Sequence, residues 1–157
     1  REFLKAGEAR ELTAQEANRV REASDIAQAT EFVSKMPKGF QSPIAQGGTN
    51  VSGGQKQRLS IARAVYRDPE ILIFDDSFSA LDFKTDREVR DALKETAKDA
   101  TKLIVAQRVG TIMDADCILV LEDGKVVGQG THRELLETCE VYQEIAKSQL
   151  SEEELSA

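Results

Sequence analysis

The chain has 157 residues, 40% of them hydrophobic, which suits a folded unit with its own core and does not suit a disordered segment. A formal net charge of −7, from 28 acidic and 21 basic residues, gives no general attraction for nucleic acid or an anionic membrane surface, so no nucleic-acid partner is expected. The apolar runs Ile71 to Phe74 and Cys117 to Leu121 fall far short of the roughly 20 residues a membrane helix needs.

Two cysteines, with no CxxC and no histidine-cysteine cluster, suggest neither a disulfide framework nor a zinc site, and fit a reducing, cytosolic setting. The first residue is Arg1 and no signal peptide opens the chain, so a piece of a longer protein is the expectation. Thr13 followed three residues later by Glu16 marks a capped helix running to about Gln28, with Ala17, Val20 and Ala27 at helical spacing. A short second helix around Thr30 to Lys35 stops before Pro37. Residues Pro37 to Gly54 hold five glycines and two prolines and read as loop. A helix follows Ser52 and ends near Arg67, before Asp68-Pro69. The run Ile71 to Phe74 predicts a strand buried on both faces. Then come a helix near Lys84 to Lys98, a second buried strand at Leu103 to Ala106, and a hairpin about Asp123-Gly124. Thr131 and Glu134 cap one more helix, and Ser151 to Ala157 reads as a solvated acidic tail. Strand alternating with helix predicts a parallel α/β architecture.

Two stretches carry chemistry. Val51-Ser52-Gly53-Gly54-Gln55 opens a helix, so its amides and the helix dipole are aimed at an anion. Ser52 supplies an N-cap and a hydroxyl donor, and Gln55 reaches a neighbouring sugar or backbone group. An isolated Ser-Gly-Gly is, by itself, more often a plain capping turn. Asp75-Asp76 ends the first strand, where α/β proteins build ligand sites. The pair suits a magnesium ion held mostly through water by Asp75, with Asp76 polarising an attacking water. Taken alone it reads equally as two aspartates that end a strand and cap a turn.

The order VSGGQ, QRLSIARAV, ILIFDD, SALD, a polar residue after the second strand, then DADCILVLEDGKVVGQGTHRELL resembles the nucleotide-binding domains of ABC transporters over essentially the whole chain. The resemblance implies the C-terminal part of a RecA-like P-loop NTPase core joined to an α-helical signature subdomain. The subdomain would be residues 1–66, the core 67–150 and a flexible tail 151–157. By the same resemblance Ser52, Gly53, Gly54 and Gln55 belong to the signature loop, Asp75 is the Walker B metal ligand, Ser79 to Asp82 form the D-loop, and Gln107 holds the switch-histidine position. Gln46 to Asn50 matches the loop that touches transmembrane coupling helices in exporters. Implied cofactors are ATP and Mg²⁺, with Asp82 near the nucleotide. Implied partners are a second nucleotide-binding domain and transmembrane domains, at the cytoplasmic side of the cell membrane.

The chain departs from the family's pattern at several places. No GxxxxGKS/T phosphate loop occurs, nor a Q-loop glutamine, so the isolated chain is expected to hydrolyse ATP negligibly. Asp76 stands where the family usually has glutamate, one methylene longer. Gln107 hydrogen-bonds a phosphate but carries no imidazolium charge. The signature loop, by contrast, is intact apart from Val51 for leucine. That asymmetry predicts one half of a heterodimeric exporter whose own site is degenerate.

Two other readings keep the fold: a non-transport ABC ATPase, against which the short, broken helices before residue 50 count, and a nucleotide-dependent clamp without turnover. His132 is expected as a solvated first-turn residue, Lys56, Arg58, Arg63 and Arg67 as a solvated basic face, and Cys117 and Cys139 as small buried apolar residues.

Overall fold

The computed structural model describes residues 11–151 together with Leu155. It divides into two compact units, Arg1–Glu70 with Glu88–Asp99 and Ile71–Arg87 with Ala100–Ala157.

Three helices, with part of a fourth, lie in the first unit. Thr13 and Glu16 form the expected capping box, with Thr13 N–H donating to Glu16 Oε2 at 2.9 Å, and α1 runs Ala14–Ile26. Helix α2 covers Thr30–Ser34, and α3 covers Gly53–Val65 and packs on α1. Ala23, Ala27, Ala29, Val33, Ile61 and Ala62 are buried, a core built largely of alanine. Of the residues expected on a solvated basic face, Lys56, Arg63 and Arg67 are exposed as expected, and Arg58 is half-buried. Arg58 lies over the Phe32 ring at 4.7 Å and donates to Gln28 O at 2.7 Å, just where a left-handed Gln28, φ 54°, turns the chain after α1. Lys56 donates to Gly47 O at 3.0 Å.

The second unit holds the strands. Strand β1, Ile71–Asp75, pairs parallel with β2, Thr101–Val105, in a register that sets Ile73 opposite Leu103. Parallel strands need a crossover, and the chain between them includes helix α4, Phe83–Thr96, which belongs to the second unit up to Arg87 and to the first from Glu88. Leu72 and Phe74 are buried, Phe74 against the Phe78 ring at 5.2 Å between centroids. Ile71, Ile73, Leu103 and Val105 share the opposite face and are each more than half exposed. The expectation of strands buried on both faces therefore fails. Each strand is apolar on both sides, yet the described residues cover only one.

Strands β3, Ile118–Glu122, and β4, Lys125–Gly130, form the predicted hairpin. Asp123 and Gly124, at φ 48° and 73°, supply the two left-handed residues that a tight two-residue turn requires. Helices α5, Val109–Ile112, α6, His132–Thr138, and α7, Glu140–Gln149, complete the unit. Ile118, Val120, Leu135, Cys139, Tyr142 and Ala146 form its core with Val109. Full burial of a side chain such as Leu135 stabilises by about 1.5–3 kcal/mol relative to leaving it in water.

Helix α7 was not anticipated from the sequence, and it changes one expectation. Its Tyr142 is buried, and the Oη lies 2.7 Å from His132 Nδ1, so His132 is half-buried in the first turn of α6 instead of solvated. Cys139 is buried as expected, at the break between α6 and α7, while Cys117 is exposed. Of the expected acidic tail only Ser151 and Leu155 lie within the described residues. Leu155 packs against the core and its N–H donates to Ser151 O at 3.0 Å.

Candidate functional site

The glycine-rich loop stands at the N-terminus of α3. Ser52 has β-region backbone, φ −69° and ψ 165°, and caps the helix: its Oγ accepts from Gln55 N–H at 3.3 Å. Gln55 Oε1 in turn accepts from Ser52 N–H at 3.0 Å. Gln55 is thus committed to a capping box, and Ser52 has its own amide occupied. The donors left at this end are the N–H groups of Gly53 and Gly54, which as first-turn residues have no intrahelical acceptor, and the Ser52 hydroxyl. A 13-residue helix adds its dipole to them, so the arrangement suits an anion. The loop ahead of it is held by Asn50, whose Oδ1 accepts from Ala45 N–H at 2.9 Å and whose Nδ2 donates to Pro43 O at 3.0 Å. Gly47 and Gly48, at φ 72° and 69°, take the left-handed backbone this turn needs.

A second constellation lies at the C-terminal ends of β1 and β2. A cavity of about 210 Å³ is lined there by Asp76, Phe78, Ser79, Gln107, Arg108 and Thr111, with Val105 and Ala106. The structure thus brings together Asp76 and Gln107, which lie 31 positions apart in sequence. Asp75 is the last residue of β1 and is exposed. Asp76 takes a left-handed backbone, φ 49°, fixed on one side by its N–H donating to Val105 O at 3.1 Å and on the other by Ser79 Oγ donating to its carbonyl at 3.0 Å. Its carboxylate therefore sits on backbone anchored to both neighbours.

Asp82 closes on the helix that follows it. Its two carboxylate oxygens accept from Thr85 N–H at 2.9 Å and Thr85 Oγ1 at 2.8 Å, so it caps α4. The Thr85 N–H first, then the Thr85 hydroxyl, hold this carboxyl below its ordinary range.

Sequence reasoning missed Arg108 and the Asp86–Thr111 pair. Arg108 donates from Nη2 to Ser79 O at 2.9 Å and from Nη1 to Leu81 O at 3.1 Å, and lies 5.2 Å over the Phe83 ring. It ties the residue after Gln107 to the loop that follows β1. Asp86 and Thr111 are both buried and joined at 3.1 Å, Thr111 Oγ1 donating to Asp86 Oδ2. The only sequence signal for Arg108 was its adjacency to Gln107, and nothing in the sequence marked the second pair.

Comparison with known proteins agrees with the motif order. The family profile described as ABC transporter matches residues 4–79. An uncharacterized ABC transporter ATP-binding protein of Mycobacterium bovis is 50% identical over 128 residues, covering 82% of this chain and 22% of that protein. An ATP-dependent lipid A-core flippase of Vibrio vulnificus is 43% identical over 133 residues, covering 85% of this chain and 23% of that protein. The solved structure of a bacterial Atm1-family ABC exporter with ATP bound superposes with a TM-score of 0.82 at 33% identity, over 94% of this chain and 25% of that one. The chain thus spans less than a quarter of the length of these curated relatives. With motif order, fold and sequence in agreement, the chain belongs to the ABC transporter family, as part of a nucleotide-binding domain.

Proposed function

We propose that this chain is part of the ATP-driven engine of an ABC exporter, that it lends its signature loop to the ATP of a partner domain, and that its own Walker B and switch positions hold ATP while cleaving it slowly. The observation that carries the reading is an asymmetry: Gly53, Gly54 and Ser52 keep an anion-binding helix start, while Asp76 and Gln107 replace the expected glutamate and histidine in one cavity. The partner is a second, non-identical nucleotide-binding domain, and both serve transmembrane domains from the cytoplasmic side of the membrane. Likeness to an exporter and to a flippase supports export as the direction.

The residues fit ATP with Mg²⁺. Asp75 and Asp76 are exposed hard-oxygen donors at one strand end, and this ion uses one or two carboxylates with water completing its shell. When bound, the ion neutralises charge on the phosphate oxygens. Asp75 is the residue to hold it, and Asp76 the one to accept a proton or hydrogen bond from the attacking water. At one methylene shorter than glutamate the Asp76 carboxylate is withdrawn by roughly a bond length, and a misplacement of about 1 Å costs about a hundredfold in rate. In this reading Gln107 donates its amide to a phosphate oxygen without adding positive charge. Both departures also favour a second reading, in which the site formed by Asp76 and Gln107 is purely a nucleotide-dependent clamp. Lacking a GxxxxGKS/T loop, the 157-residue chain by itself is proposed to hydrolyse ATP negligibly.

The reading is tested in the intact transporter by measuring steady-state ATPase activity. Ser52→Ala or Gly54→Asp is expected to lower it about a hundredfold, since a preorganised donor set at the phosphate is lost, whereas Asp76→Asn is expected to change it by less than about threefold. Equal losses from both substitutions would remove the asymmetry. Photo-crosslinking of ATP to each half separates slow turnover from a pure clamp.

A further inference from the structure

The backbone that carries Gln107 is held by a side chain from the far end of the chain. Arg108 is extended, φ −98° and ψ 122°, so the carbonyl of Gln107 and the N–H of Val109 face the same way, like the open edge of a strand. Gln149, the last residue of α7, fills that edge with its primary amide. Nε2 donates to Gln107 O at 2.9 Å and Oε1 accepts from Val109 N–H at 2.9 Å. A carboxamide offers a donor and an acceptor side by side, as a peptide does, and the match uses both. Between the two bracketed groups, the Arg108 side chain reaches the carbonyls of Ser79 and Leu81. Gln107, Arg108, Ser79 and Asp76 line one cavity, to which Gln149 contributes no lining.

We infer that Gln149 is a positioning residue for Gln107: its amide fixes the backbone from which Gln107 meets the nucleotide, and so makes α7 part of the ATP site without touching it. The inference rests on the reading above, in which Gln107 faces the terminal phosphate. A bracket that acts through Gln107 has a specific signature. Losing it weakens nucleotide retention only while Gln107 is there to be misplaced.

The experiment uses the intact transporter and measures retention of photo-activatable ATP on this half. Gln149→Met keeps length and removes both hydrogen bonds; it is expected to weaken retention by about three- to tenfold. Gln149→Glu keeps the acceptor for Val109 N–H and is expected to fall between wild type and Gln149→Met. Gln107→Ala lowers retention directly, and adding Gln149→Met to it is expected to change nothing further, the non-additivity of residues that act as one unit. If Gln107→Ala lowers retention while Gln149→Met does not, or if the two losses multiply, the bracket is overturned and the reading of Gln107 stands. If Gln107→Ala leaves retention unchanged, both fall together. Should Gln149→Met fail to assemble, Gln149→Glu in the two Gln107 backgrounds makes the same comparison.

Discussion

At Gly128 a hydrogen occupies a place too small for any carbon. The residue lies on β4 opposite Val120, and a Cβ built there would come within 2.7 Å of Cys139 Sγ and 3.0 Å of Leu135 Cδ2, both buried side chains in the α6 region. Neither neighbour is the loose end of a long chain, so the helix would have to lift. Gly128→Ala is therefore expected to destabilise the protein by about 1–3 kcal/mol, the usual cost of overpacking a filled core. Gly110→Ala is the control, since nothing lies within 4 Å of its added carbon. Denaturant titration of both variants checks the contrast, and equal midpoints would count against the close packing of α6 on β4. None of this was readable from the sequence, where Gly128 is one glycine in a strand. The pairing of Asp76 with Gln107 at one cavity was more accessible, because both follow apolar runs that the strand pattern marks. Arg108 and Gln149 bond to backbone carbonyls and amides whose positions only the folded chain defines.

At the scale of elements, local chemistry spoke most clearly where a side chain closes on its own helix. Thr13–Glu16, Ser52–Gln55 and Thr131–Glu134 are all formed as capping boxes, and each marks a helix start that the sequence already announced. Helix α7 had no such announcement. Its N-cap is Cys139, which makes no side-chain cap bond, and the break after α6 rests on one extended residue, φ −120° and ψ 104°. The caps also carry a pH dependence. Glu134 is held below its ordinary 4.5 by the Thr131 N–H first and then the Thr131 hydroxyl, and Asp82 below its ordinary 3.8 by Thr85 in the same way. For a carboxyl lowered on folding, the stabilisation is complete above the unfolded value and is lost as pH falls through the folded one. Acid unfolding should therefore steepen below pH 4.5 for Glu134 and below 3.8 for Asp82. Glu134→Gln keeps the geometry, as Gln55 does for Ser52, but removes one titration. The expected outcome is near wild-type stability at neutral pH and a shallower loss below pH 4.5, read by thermal midpoints from pH 3 to 7. An unchanged acid limb would mean that Glu134 does not titrate with folding.

At the scale of the whole molecule, the strand pattern promised more cover than these residues supply. Ile71, Ile73, Leu103 and Val105 form one bare face of the parallel pair, and Leu119, Leu121 and Val126 are likewise exposed on the hairpin. A sequence pattern reports that a strand is apolar on both sides; it does not say which residues will lie over each side. Parallel sheets are ordinarily covered on both faces, and contiguous apolar patches on a soluble surface invite association. The 157-residue chain is therefore expected to bind a hydrophobic dye such as ANS and to self-associate with rising concentration, with the β1–β2 face as a main contact. Replacing Ile73 by Lys and Leu103 by Glu sets opposite charges directly across the register while removing two of the four large apolar side chains. Dye fluorescence at that face should drop by about half and the association midpoint should move to higher concentration, with helical circular dichroism unchanged. If the doubly substituted chain binds dye and associates like wild type, the bare sheet face is not where the molecule is adhesive, and the hairpin residues Leu119 and Leu121 become the ones to replace.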